Sequence, residues 1–139
     1  MTATVITNDP KTWPTGDKIW QICHAIAIAE GYNVEGSNPF RLNNPGDISD
    51  GSSLFNQEFH SGSQITHFPD PITGWTWLYN KIKNITLGKS HVFDTGMTWY
   101  EFAKHYAPPN WQVWADNVST YLKVDPNSTM QDYLEETEG

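Results

Sequence analysis

The chain has 139 residues, a length that fits one domain able to bury a hydrophobic core without a metal or disulfides. Sixteen acidic against eight basic residues give a net charge of −8, which makes nucleic acid and anionic membranes poor partners. The single cysteine, Cys23, excludes an intramolecular disulfide, and no run of about eighteen apolar residues predicts a membrane span. We expect one domain over residues 1–139, in which residues 1–15 form an N-terminal arm that packs through Trp13.

The first predicted helix is capped by Asp17 or Thr15 and ends near Glu30. Its apolar residues recur at helical spacing and define one buried stripe, which comprises Ile19, Ile22, Cys23, Ile26 and Ala29. Glu30 is the next position on that stripe, and Gly31 directly after it is a typical helix stop. Burial and the negative end of the helix dipole both disfavour a carboxylate, so we expect a raised pKa at Glu30. Such a group can act as a general acid; the alternative is a solvated residue at the edge of the stripe. His24 lies off the stripe and is predicted to be a surface or half-buried residue.

An unusually polar loop follows this helix. Residues 38–47 carry Arg41, Asn43, Asn44 and Asp47 between two X-Pro steps, which constrain the backbone. These side chains offer hydrogen-bond donors and acceptors suited to the hydroxyl and acetamido groups of a sugar. The alternative is a turn in which the same side chains satisfy one another.

A small β ribbon and a second long helix are predicted next. Short alternating patterns around residues 53–59 and 64–68 indicate the two strands. Asp70 and Pro71 are typical of the N-cap and first residue of a helix, which should end near Thr86. Its predicted buried side comprises Ile72, Trp75, Leu78, Tyr79, Ile82 and Ile85.

Shorter helices complete the predicted fold. Thr98 and Glu101 match a capping box, and the inner face of that helix comprises Trp99, Phe102, Ala103 and Tyr106. Asn110 is expected to cap the next helix and Pro126 to end it, before a last short helix that starts within residues 128–131. The elements predict a mainly α fold of the α+β class, with about five helices and an irregular β ribbon between the first two.

A resemblance to a known superfamily is carried by four segments: A-E-G-Y, G-S-N-P-F-R-L-N-N-P-G-D-I, I-T-H-F-P-D-P-I-T-G-W and F-A-K-H-Y-A-P-P-N-W. Together they resemble the small lysozyme-like domains of phage lysins, virion proteins and secreted muramidases, distant relatives of goose-type lysozymes and lytic transglycosylases. The likeness spans residues 17–135 and is most specific at E-G followed by R-x-N-N-P-G. The G-L-M-Q segment of true lytic transglycosylases is absent.

The resemblance implies a lysozyme-like fold and a muramidase that hydrolyses the β-1,4 bond between N-acetylmuramic acid and N-acetylglucosamine. Glu30 falls on the catalytic acid of the family. Asp47 and Asp50 both lie where goose-type relatives place supporting aspartates, and we prefer Asp47 as the second carboxylate because it is fixed beside Asn43–Gly46. Glu35 is a rival acid without the buried-stripe argument. Predicted substrate-binding residues are Arg41, Asn43, Asn44, Tyr106 and Trp111, with His105 as a weaker candidate and Tyr106 alternatively a core residue.

No cofactor or metal is expected, because His60 and His67 flank the ribbon without a cluster of further ligands. The expected partners are peptidoglycan glycan strands, bound by a monomer that is secreted or phage-delivered, although residues 1–15 lack the pattern of a signal peptide. Two alternatives stay open. One is a lytic transglycosylase that forms 1,6-anhydro products, and the other is a non-catalytic wall-binding or virion structural module, which the acidic charge favours.

Overall fold

The computed structural model describes residues 5–49, 54–60 and 63–136. Within these ranges the chain forms six α-helices and one two-stranded antiparallel sheet, which confirms a mainly α fold of the α+β class. The elements are α1 (Lys18–Ala29), α2 (Asn38–Arg41), β1 (Asn56–His60), β2 (Ser63–His67), α3 (Pro71–Thr86), α4 (Trp99–Tyr106), α5 (Trp111–Leu122) and α6 (Met130–Glu135). Across the described ranges, every helix is too short or too polar to cross a bilayer.

Helix α1 is the central element of the core. The Asp17 side chain caps its first turn by accepting a hydrogen bond from the amide of Trp20, as the sequence predicted. Ile22 and Ile26 are fully buried where α1 packs against α3 and α5. The prediction for His24 is wrong: its ring is only 4% exposed, because it also faces the core.

His24 is held by two polar contacts that the sequence pattern does not reveal. One ring nitrogen pairs with the Tyr121 hydroxyl at 3.1 Å, and the other with the carbonyl of Pro14. Burial lowers the pKa of His24. The N-terminal arm packs beside this ring through Trp13, which is buried and lies 5.0 Å from the Trp75 ring, as expected.

Helix α2 was not predicted. It has only four residues, which is too short to produce an apolar period, and it forms because Ser37 caps it and Pro39 suits its first turn. The predicted β ribbon is present, but it lies between α2 and α3 rather than between the first two helices. Its strands pair from Asn56 opposite His67 to His60 opposite Ser63.

Helix α3 begins as predicted, with Asp70 accepting from the amide of Thr73 and Pro71 in the first turn. Trp75 and Leu78 are fully buried on its inner side. Ile72 is a correction, because it is 51% exposed in the first turn, before the helix meets the core.

The last three helices differ from the prediction at two boundaries. The capping box of Thr98 and Glu101 is present, and α4 then packs against α5. Asn110 makes no side-chain cap; a 3-10 turn, Pro108–Asn110, leads directly into α5. Helix α5 ends at Leu122 because Lys123 adopts a left-handed conformation with φ 60°, so Pro126 does not end it.

Candidate active site

Glu30 lies at the carboxyl end of α1, where the backbone reverses. The Tyr32 amide donates to the carbonyl of Ala27 and the Gly31 amide donates to that of Ile28, which is the Schellman arrangement. Gly31 has φ +83°, which a residue without a side chain adopts freely. The turn ends the helix directly after Glu30, so that its half-buried side chain emerges beside α5 rather than into bulk solvent.

The carboxyl of Glu30 is strongly perturbed. Burial, followed by the negative charge of Asp47, raises its pKa to about 8, and the hydrogen bond from Trp114 opposes this rise. That bond joins the indole Nε1 of Trp114 to Oε2 of Glu30 at 3.3 Å. Glu30 therefore keeps its proton at neutral pH, in agreement with the expectation from the apolar stripe. The contribution of Asp47 is a feature that the sequence did not indicate.

Asp47 is carried by a loop that Asn44 fixes from inside. Asn44 is fully buried; its Nδ2 donates to the carbonyls of Ile48 at 2.8 Å and Thr66 at 2.9 Å. Its Oδ1 accepts from the amide of Ile48 at 2.8 Å. Asn44 thus ties the residue after Asp47 to strand β2, which makes it a scaffolding residue.

The same loop is pressed against helices α3 and α4. The carbonyl of Asn43 lies over Gly74 so closely that a Cβ there would sit 1.8 Å from the carbonyl oxygen. The Tyr106 hydroxyl donates to the carbonyl of Gly46 at 2.6 Å. Asn43 and Asp47 adopt left-handed conformations with φ 54° and 52°, which Asn and Asp tolerate better than most residues. The backbone around Asp47 is therefore fixed by Gly74, by Tyr106 and by the hydrogen bonds of Asn44.

Glu30 and Asp47 line one cleft. Its volume is about 420 Å³, within the range of small-molecule sites. Its lining residues are Glu30, Asn38, Pro39, Asp47, Ile65, Tyr106, Ala107, Pro108, Pro109 and Asn110. A half-buried acid and a second carboxylate thus share one solvent-accessible space.

Tyr106 is the third predicted site residue that lines the cleft. Burial raises the pKa of its phenol well above the usual value, and the charges of Glu30 and Asp47 add to the rise. The hydroxyl therefore stays protonated and donates to Gly46, while the ring stacks 4.9 Å from that of Trp114. Its place at the end of the inner face of α4 combines the two roles that the sequence left open, core residue and cleft residue.

Several predicted substrate-binding residues are engaged elsewhere. Asn43 donates to the carbonyl of Phe68, and Asn44 to those of Ile48 and Thr66, so both side chains bond to the backbone rather than to one another. Arg41 forms an exposed two-pronged ion pair with Glu58, at 2.7 and 3.0 Å, and also donates to Asn38, which lines the cleft. Trp111 does not line the cleft; its ring lies 4.7 Å from Nζ of Lys104 on the outer side of α5.

Neither Glu35 nor His105 lines the cleft itself. Glu35 is exposed and does not line it. His105 is exposed and lines a smaller depression on the other side of Asp47. Asp50, the alternative second carboxylate, lies outside the described residues. In the described ranges, no three His, Cys, Asp or Glu side chains cluster as metal ligands would.

Two parts of the site were missed by sequence reasoning. Trp114 lies on an apolar stripe that the sequence predicts to be buried, with Trp111, Ala115, Val118, Tyr121 and Leu122, and nothing local indicates that its indole reaches Glu30. One wall of the cleft is formed by Ala107 and the turn Pro108–Asn110, where the sequence by itself predicts only the end of a helix. The double proline was the available signal, since such a rigid turn between two helices can line a cleft.

Comparison of this chain with models of protein families, with curated proteins and with solved structures found no match. The lysozyme-like resemblance therefore stays a prediction from the motif residues.

Proposed function

We propose that the protein is a muramidase, a glycoside hydrolase that cleaves the β-1,4 bond between N-acetylmuramic acid and N-acetylglucosamine in peptidoglycan. One observation carries the proposal: a half-buried carboxyl, Glu30, whose pKa is raised to about 8, shares a cleft with a second carboxylate, Asp47. Glycosidases use such a pair, in which one group gives a proton and the other stays ionised. The motif around Glu30 supports the choice of substrate.

In the proposed mechanism Glu30 is the general acid. Its proton passes to the glycosidic oxygen as the bond between that oxygen and the anomeric carbon breaks. A water molecule held by Asp47 attacks the anomeric carbon and gives its proton to the Asp47 carboxylate. A second carboxylate in the cleft, which can take a proton from water, is our reason to propose hydrolysis rather than the intramolecular attack of a lytic transglycosylase.

The variant Glu30→Gln tests the proposal. Glutamine keeps the size of the side chain and can still accept the bond from Trp114, but it has no acidic proton, so turnover should fall by roughly 10²–10⁴-fold. The measurement is the rate of clearing of purified cell walls, with folding checked by circular dichroism. The matched control is Glu35→Gln, which removes an exposed carboxyl five residues away and should leave the rate unchanged. Near-normal clearing by Glu30→Gln would end the proposal.

Mass spectrometry of the digest decides the reaction class. Reducing-end muropeptides are the expected products, while 1,6-anhydro products would identify a lytic transglycosylase. Binding to walls without any cleavage by the unaltered protein would identify a non-catalytic module.

A further inference from the structure

The cleft continues into a longer groove. A second depression of about 140 Å³ shares Asp47 and Tyr106 with the cleft. A third, of about 320 Å³, shares Ile48, Ser49 and Lys81 with the second. The three spaces therefore lie one after another. They run from the turn at Pro108–Asn110, past the two carboxylates, to the outer side of α3. Such a groove suits an extended chain better than a single sugar.

Lys81 lies at the junction of the second and third depressions and lines both. Its half-buried ammonium lies 5.5 Å from the ring centre of Phe93 and 5.7 Å from that of Tyr106, close enough for cation–π attraction. No carboxylate in the described ranges lies within salt-bridge distance of Lys81. The ion pair found in those ranges joins Arg41 and Glu58 instead.

A partly desolvated ammonium that has no counter-ion among the described residues disfavours folding, and an anionic ligand would offset this cost. Burial accordingly lowers the pKa of Lys81. The side chains around Lys81 limit the chemical class of ligand that could bind there. The ring of Phe93, which lines the second depression, can pack against a sugar face, and the ammonium can bind an anion beside it. The net charge of −8 repels anions elsewhere, so a cation inside the groove gives an acidic glycan a defined place to bind.

We propose that Lys81 binds a carboxylate borne by the glycan in the groove and so makes the protein select carboxylated glycans over neutral β-1,4-linked chitooligosaccharides. The inference rests on the proposed function for the identity of the chain in the groove. In a peptidoglycan strand the carboxylate has two sources, the free lactyl group of a peptide-free muramic residue and the stem peptide.

The test compares the variant Lys81→Met with the unaltered protein on three substrates. Methionine keeps an unbranched apolar stem over the rings and removes the charge. The substrates are chitohexaose, peptide-free glycan strands with lactyl carboxylates, and glycan strands that carry stem peptides. We expect KM to rise about tenfold or more on a carboxylated substrate, with kcat little changed and chitohexaose cleavage unaffected. The carboxylated substrate that shows the loss identifies the source of the carboxylate.

Two further variants separate charge recognition from a structural role. Lys83→Met removes an exposed lysine of the same helix and should change KM on none of the substrates. Lys81→Arg keeps the positive charge and should restore most of the preference for carboxylated strands. Equal losses on neutral and carboxylated substrates, or no loss on either carboxylated strand, would overturn the inference.

Binding measurements keep this inference separate from the proposed function. Calorimetry on Glu30→Gln, with and without Lys81→Met, gives the affinity for each glycan without cleavage. If the unaltered protein cleaves nothing, the muramidase proposal fails. A tenfold preference for carboxylated strands that Lys81→Met removes would still establish the role of Lys81, while absence of that preference would overturn it.

Discussion

The carboxyl end of α1 and the loop of residues 43–48 each contribute a carboxylate to the same cleft, but they treat buried polar groups in opposite ways. In the loop, the fully buried Asn44 makes three hydrogen bonds of 2.8 to 2.9 Å. At the end of α1, the half-buried Glu30 receives one side-chain hydrogen bond from the described residues, a long one of 3.3 Å from Trp114. The satisfied group builds the site, and the poorly satisfied group is the one left with an unusual proton affinity.

This contrast teaches how polar density should be interpreted. A run of Asn, Arg and Asp suggests ligand binding, yet Asn43 and Asn44 donate hydrogen bonds to backbone carbonyls, and Arg41 pairs with Glu58. The single acid on an apolar stripe is the group with the perturbed pKa, because burial penalises its charged form, and such groups cluster at functional sites.

The variant Asn44→Ala removes the hydrogen bonds that fix the loop and should have the largest effect on stability. It leaves the buried amide of Ile48 without its acceptor and removes a donor from two carbonyls, so the free energy of unfolding should fall by about 3–5 kcal/mol. Urea denaturation measures the loss. The control is Asn117→Ala on the exposed side of α5, which should change stability by less than about 0.5 kcal/mol. Similar values for the two variants would show that Asn44 does not anchor the loop.

The variant Glu30→Gln tests the poorly satisfied carboxyl at the end of α1. It should stabilise the protein at high pH. With a pKa of about 8 in the folded protein against 4.5 as its ordinary value, Glu30 holds a proton that the unfolded chain has released. The free energy of unfolding of the unaltered protein therefore falls as pH rises from 4.5 to about 8, and the lost stability does not return above that pH.

Glutamine does not titrate, so the difference between the two proteins should be near zero below pH 4.5 and should open as the pH rises to about 8. It should reach on the order of 3 kcal/mol after solvent screening of a half-buried group. Urea denaturation of both proteins at pH 4, 6 and 9 measures the gap. A constant gap across this range would contradict the raised pKa.

The variant Asp47→Asn tests the electrostatic coupling between Asp47 and Glu30. Of the three variants, it should have the smallest effect on the free energy of unfolding. Removing the negative charge across the cleft should lower the pKa of Glu30 from about 8. Asparagine tolerates the left-handed backbone at this position, where φ is 52°. The measurement is a carbon-13 NMR titration of the Glu30 carboxyl. Asp116→Asn, which changes an exposed carboxylate on α5, is the control and should leave that titration in place. An unchanged pKa in Asp47→Asn would mean that the two carboxylates are not coupled.

Much of the fold could be predicted because the signals are local. Capping residues such as Asp17, Asp70 and Thr98 act on amides within three positions, so their effect is visible in the sequence. The unpredicted features depend on distant neighbours. His24 is buried because Tyr121 and the carbonyl of Pro14 accommodate its polar ring, and Ile72 is exposed because the core begins only after the first turn of α3.

The candidate site divides along the same line. Glu30 could be found from periodicity and Gly31 alone, because a helix places residues three or four positions apart on one face. The partners of Glu30 could not be found in this way. Trp114 lies 84 positions away, and the influence of Asp47 depends on a loop held by Asn44, Gly74 and Tyr106.

Local sequence signals are enough to predict α1, α3 and α4, the caps at Asp17, Asp70 and Thr98, and the acid at the end of α1, since each depends on contacts within a few residues along the chain. Which polar side chains remain available in the groove depends on the tertiary structure. Hydrogen bonds and charges act across space, so the same Asn or Lys becomes scaffolding or a binding group according to what packs against it.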